Sequence, residues 1–143
     1  MMSGNRNVFR AGIIPYFINP DKTIKFMFMQ PSDSKYGGSD WQMAKGRVEG
    51  DDDNITTALR EGGEELGLKE SNIKLIQELG LYLGRTTVYI CEVKDKDDFG
   101  EFTYETGQVT WLTAKEFTEI GRDIHQSIVQ DALVRIKECL DEI

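Results

Sequence analysis

Two runs of apolar and β-branched positions open the chain, residues 8–18 and 24–29, separated by Asn19, Pro20, Asp21 and Lys22. Short apolar runs joined by turn-forming residues predict a β-hairpin. Proline cannot donate to a ladder, so Pro15 predicts an edge or a bulge within the first run. Residues 32–40 are polar and read as a loop, 41–45 as a short extended segment and 46–53 as an acidic loop. The period then changes. Over 54–66, Ile55, Ala58, Leu59 and Leu66 fall on one side of a helix, with Asp52, Asp53 and Asn54 as suitable caps. Gly67 stands where a helix ends in a left-handed residue. Residues 73–84 and 86–93 predict two strands with a turn near Gly84 and Arg85, and 108–112 a third. Thr113 followed by Glu116 makes a capping box for a short helix over 113–120. Residues 123–143 predict an amphipathic helix whose stripe is Ile124, Ile128, Ala132, Ile136 and Leu140, supported by Val129 and Leu133. This order predicts an α/β fold, a mixed β-sheet between helices.

Length narrows the organisation: 143 residues without repeat or linker read as one domain, 1–143. Seventeen Lys+Arg against twenty-five Asp+Glu leave a net charge of −8. That balance argues against a protein held to duplex DNA or anionic lipid by a general positive field, although a bound divalent cation or a local basic cluster can still attract a small anion. No apolar run is long enough to span a bilayer, and the N-terminal residues lack the apolar core of a signal peptide. With two cysteines, Cys91 and Cys139, a cytoplasmic protein with reduced thiols is expected. The single histidine, His125, excludes histidine-rich metal sites and reads as structural or solvated.

The predicted helix 54–66 contradicts itself chemically. Glu61, Glu64 and Glu65 lie within one turn of each other, and like charges at such spacings each cost about 0.2–0.5 kcal/mol. They also crowd the C-terminal end, where the macrodipole disfavours anions. Gly62 and Gly63 each cost a further ~1 kcal/mol relative to alanine. Two readings stand: a solvated acidic face, or a carboxylate cluster for a hard divalent cation such as magnesium or manganese. Arg60, beside Glu61 and four residues before Glu64, has the fork to hold one carboxylate in position.

Gly46, Asp52, Arg60, Glu61, Glu64, Glu65, Gly67 and Leu68 together resemble the Nudix box, at matching spacing over residues 46–68. Asp52 stands where the family has glutamate, and Gly62 where it has an aliphatic residue. The resemblance implies a Nudix α/β/α sandwich and divalent-metal-dependent hydrolysis of a nucleoside diphosphate linked to another group. It implies metal ligands at Glu61, Glu64, Glu65 and the Gly46 carbonyl, with one glutamate doubling as base; which one stays open, because carboxylates this close titrate as a set. Trp41-Gln42-Met43-Ala44-Lys45-Gly46 is similar to the corresponding segment of asymmetric dinucleoside tetraphosphate hydrolases, with Ala44 in place of proline. Thr86–Val93 resembles the strand those enzymes carry after the box. Glu105, six residues before Trp111, matches their late glutamate, an outer ligand or base, although Thr106 replaces the histidine that follows it.

The implied substrate is a small nucleotide, a dinucleoside polyphosphate such as diadenosine tetraphosphate. Nucleoside triphosphate or RNA 5′-end pyrophosphohydrolysis is the alternative, and a catalytically silent nucleotide-binding domain a third reading. Lys45 and Arg85 are each a phosphate contact or a solvated cation. Tyr82, Tyr89 and Trp41 each stack a base or belong to the core. The segment from Asp95 to Gly100 is not a calcium loop, because Phe99 occupies a required oxygen-ligand position. The sequence leaves the oligomeric state open.

Overall fold

A computed structural model describes residues 8–36 and 38–141. Strands β1 (Arg10–Ile18) and β2 (Ile24–Pro31) form the expected hairpin, with Tyr16 opposite Phe26 and Ile18 opposite Ile24. Next come β3 (Ala44–Arg47) and helix α1 (Asn54–Leu66), then the hairpin of β4 (Ile73–Tyr82) and β5 (Thr86–Val93). Strand β6 (Thr106–Leu112), helix α2 (Ala114–Ile120) and helix α3 (Gln126–Asp141) complete the order. The strands run β4-β5-β1-β2-β6, and β3 pairs with the first half of β1. Strand β1 pairs parallel with β5 and antiparallel with β2 and β3, so the sheet is mixed.

Each face of the sheet has its own core. On one side Ile13, Met27, Ala44, Cys91 and Tyr89 pack with Ala58 and Leu66 of α1. On the other, Ile14, Phe26, Phe28 and Ile90 pack with Phe117 of α2 and Ile128, Ala132 and Ile136 of α3. The result is the α/β/α sandwich. Among the described residues no helix is long and apolar enough to cross a membrane.

Strand β3 runs two residues into the expected loop 46–53, and three further details differ from the pattern reading. Strand β1 lies inside the sheet, with β5 along one side and β3 followed by β2 along the other. Pro15 falls between Ile13, which pairs with Ala44, and Tyr16, which pairs with Phe26, so its missing N–H coincides with the changeover of neighbours. Strand β6 begins at Thr106, two residues earlier than its apolar pattern. The last helix begins at Gln126, because Asp123–His125 forms a tighter 3-10 turn in which the His125 N–H donates to the Arg122 carbonyl at 3.0 Å. Ile124 therefore leaves the apolar stripe and is exposed, while Ile128, Ala132 and Ile136 are buried as expected. Residues 142–143, the end of the expected helix, and residues 1–7, part of the stretch read as lacking a leader, lie outside the described residues.

Candidate active site

The acidic helix is built to survive its own charge. Asp53 caps its start, accepting the Thr56 N–H at 2.9 Å. At its end Gly67 adopts φ 75°, and the Leu68 N–H donates to the Gly62 carbonyl at 3.1 Å. Two further terminal carbonyls are satisfied from the segment before β6. Thr103 N–H donates to the Glu64 carbonyl at 2.7 Å, and the Thr106 hydroxyl to the Glu65 carbonyl at 2.8 Å. Helices leave such carbonyls unsatisfied, so this clamp both caps α1 and holds Glu105 beside it. Ser32 N–H fixes the Glu105 carbonyl from the other side at 2.9 Å. Thr106, in the position where the enzymes resembled carry histidine, has this capping task.

Gly62 and Gly46 each make room for a neighbour. A Cβ on Gly62 would stand 2.8 Å from the Ile13 Cγ2 and 3.0 Å from Leu68 Cδ2. Ile13 thus occupies from the sheet the volume that an aliphatic residue would fill from the helix. A Cβ on Gly46 would fall on the Glu61 carboxylate. That carboxylate accepts from Arg60 Nη1 at 3.1 Å, and Arg60 Nη2 reaches the Arg47 carbonyl at 3.4 Å. Asp52 lies at 4.0 Å from Arg60, the outer limit of an ion pair, as its shorter side chain implies.

Glu61 and Glu65 share a hydrogen bond between their carboxyl groups. Burial, followed by this bond to Glu61, pushes Glu65 up to about 9. Burial also raises Glu61, with the Glu65 bond opposing the rise. The Lys45 N–H donates to Glu65 Oε1 at 3.3 Å, and burial, then the Arg122 charge, lowers the Lys45 ammonium below its usual range.

These groups line one cavity of about 870 Å³. It is lined by the carboxylates Glu49, Glu61, Glu64, Glu65 and Glu105 and by the cations Arg10, Lys45, Arg47, Arg60, Arg85 and Arg122. Among the described residues no three acidic, histidine or cysteine side chains are already gathered tightly enough to hold an ion. The donors are nonetheless all hard oxygens, and a carboxyl pair whose ionisation burial opposes is one a divalent cation would relieve.

The expected Lys45, Gly46, Arg60, Glu61, Glu64, Glu65, Arg85 and Glu105 all line the cavity. Tyr82 does not. Its hydroxyl donates to Asp131 of α3 at 2.8 Å, and its ring packs on the α2–α3 side of the sheet. Tyr89 and Trp41 pack with the two cores, and no aromatic side chain lines the cavity among the described residues. His125 is structural: fully buried, it accepts the Met43 N–H on Nδ1 at 3.3 Å, while Nε2 has no partner among the described residues.

Arg10, Arg47 and Arg122 are additions that the motif did not supply. Arg10 pairs across the sheet with Arg47 on one side and Thr86 on the other. Like charges directly opposite on neighbouring strands are destabilising. The sheet therefore carries the same kind of contradiction as the helix, with the opposite sign. Only the register reveals it, because the two arginines are far apart in sequence.

The NUDIX domain model matches residues 8–132. An asymmetrical bis(5′-nucleosyl)-tetraphosphatase of Mus musculus is 32% identical over 124 residues, covering 80% of each chain. A crystal structure of a C. elegans Ap4A hydrolase binary complex superposes with a TM-score of 0.72 at 18% identity, covering 90% of this chain and 98% of that one. The NUDIX domain of Shewanella oneidensis NrtR complexed with ADP ribose gives a TM-score of 0.72 at 13% identity, covering 94% of each. At those identities the two solved structures speak for the fold.

Proposed function

We propose a function from one premise: the chain belongs to the NUDIX domain family and is a Nudix pyrophosphohydrolase. Its substrate in this reading is a dinucleoside polyphosphate, with diadenosine tetraphosphate cut to ATP plus AMP by water attack at one phosphorus. The observation that carries the reading is that five carboxylates and six cations line a single cavity. A polyanion whose phosphates are met by metal held on the carboxylates and by the basic side chains fits that lining. The sequence likeness to an asymmetrical tetraphosphatase supports the same substrate class.

Nudix hydrolases in general use divalent metals. Here Glu61, Glu64, Glu65 and the Gly46 carbonyl would hold magnesium or manganese, with Glu105 as outer ligand or base. When bound, such an ion neutralises phosphate charge and lowers the pKa of water. The chain's own residues do the remaining work. Arg60 holds the Glu61 carboxylate against Gly46. Lys45 and Arg85 bind phosphate oxygens, joined by Arg10, Arg47 and Arg122, and one carboxylate of the cluster accepts the proton of the attacking water. The reading includes a cytoplasmic setting, in which Cys91 and Cys139 stay unpaired thiols.

The test is a panel of linked, free and RNA-terminal nucleotides, incubated with magnesium in heavy-oxygen water. ATP plus AMP from diadenosine tetraphosphate, with label in one product only and no turnover in chelator, is the expected result. Two ADP molecules would contradict asymmetric attack. Rapid release of pyrophosphate from nucleoside triphosphates, without dinucleoside cleavage, would move the assignment to the alternative substrate class.

A further inference from the structure

A cavity that takes a nucleotide must accommodate a flat, largely apolar base beside its phosphates, yet the lining side chains include no aromatic residue among those described. Two large aliphatic side chains stand at its rim instead. Leu83 is 48% exposed and Ile124 is 44% exposed, and both line the cavity. Leu83 occupies the first central position of the β4–β5 turn at φ 55°, followed by Gly84 at φ 78°, and the Arg85 N–H closes the turn on the Tyr82 carbonyl at 3.1 Å. A turn with two left-handed residues favours Asn, Asp or Gly there, because a Cβ crowds the backbone. The leucine is thus strained, and its exposed side chain returns little core packing for that strain. Ile124 likewise turns outward from the 3-10 turn, while Ile128, one turn further along, is buried.

Backbone strain and exposed apolar surface that coincide at the rim of a charged cavity point to a ligand contact. We propose that Leu83 and Ile124 form the nucleobase contact of this site, the base lying against their apolar surfaces while the phosphates run inward past Arg85, Arg10 and Arg122 toward Glu65. This rests on the reading of the cavity as a nucleotide-hydrolysing site. It assigns to aliphatic side chains the place that sequence reasoning gave to Tyr82, whose ring faces α3. Arg85 follows Leu83 by two residues and Arg122 precedes Ile124 by two, so each apolar contact comes paired with a cation that lines the same cavity.

Leu83→Asn separates this role from a structural one, because asparagine suits the left-handed turn that leucine strains. The probes are an ATP analogue with both phosphoanhydride oxygens replaced by methylene, and inorganic tripolyphosphate, which has no base. Calorimetry with magnesium should find wild type binding the analogue more tightly than tripolyphosphate. Leu83→Asn should weaken the analogue about tenfold, leave tripolyphosphate unchanged and not lower Tm. Ile124→Ser should act in the same sense. Equal wild-type affinity for the two probes, unchanged analogue affinity in both variants, or equal loss for both probes would overturn the proposal. Wild-type turnover of diadenosine tetraphosphate is read separately. Turnover with unaltered analogue binding in the variants overturns only this inference, whereas base-dependent binding without turnover overturns only the hydrolase reading.

Discussion

A Cβ at Gly46 would fall on the Glu61 carboxylate, which is the far end of a flexible side chain. Gly46→Ala should therefore fold with a near-wild-type melting curve and lose activity on the order of a hundredfold, since small misplacements of catalytic groups are that costly. Full turnover in this variant would show that the close approach is incidental. Arg60 holds the same carboxylate through one guanidinium nitrogen and the Arg47 carbonyl through another, so Arg60→Lys should not restore the activity that Arg60→Ala loses. Equal turnover of Arg60→Lys and wild type would reduce Arg60 to a local charge. His125 gives a prediction about pH. Burial, helped by the Lys45 and Arg122 charges, drives it down to about 3 from an ordinary 6.5. The unfolded chain then binds the extra proton first as pH falls, so stability is intact above about pH 7 and is lost progressively between about pH 6.5 and pH 3. By pH 5 the loss from this residue is about 2 kcal/mol. Denaturant unfolding of His125→Asn should show a correspondingly flatter slope between pH 7 and pH 5, and parallel slopes would refute the assignment.

Local elements were legible in the sequence because their signals are local. The hairpin turn at Asn19 to Lys22, the Asp53 cap, the left-handed Gly67 and the Thr113–Glu116 capping box all appear as read. What escaped depends on partners distant in the chain. Nothing near Pro15 announces that β1 changes neighbours there, and nothing near Tyr82 announces that Asp131 will take its hydroxyl. Gly62 belongs to the same class. Its departure from the box was visible, but Ile13 as the compensating side chain was not. Gly62→Leu should overpack this contact by about 1–3 kcal/mol, and Ile13→Ala should leave a cavity worth about 2–5 kcal/mol. If the two side chains compete for one volume, the double variant should be more stable than the sum of the singles by about 1 kcal/mol or more in denaturant unfolding. Simple additivity would mean that Gly62 is accommodated in another way.

At the scale of the whole molecule, a chain with net charge −8 turns six of its seventeen basic residues toward one cavity. Box glutamates contributed by one helix could be read as a string, whereas Arg10, Lys45, Arg85 and Arg122 come from separate parts of the chain and converge only on folding. The acidic exterior repels a polyphosphate at long range, so capture depends on the field focused inside the cavity. Arg122 tests this with little risk to the fold. Its backbone N–H donates to the Trp41 carbonyl at 2.8 Å, a bond that any side chain preserves, and its side chain reaches only Gln42 at 3.5 Å with no ion-pair partner among the described residues. Arg122→Gln should therefore raise KM for diadenosine tetraphosphate about tenfold, the loss expected when one charge-assisted bond to phosphate is removed, and leave kcat within about twofold. Salt screens that contribution in the wild type alone and the exterior's repulsion in both proteins, so the ratio of wild-type to variant kcat/KM should fall as ionic strength rises from about 0.01 M to 0.15 M. A lower kcat at unchanged KM would place Arg122 at the reacting phosphorus. Identical salt slopes would mean that its charge faces no part of the bound chain.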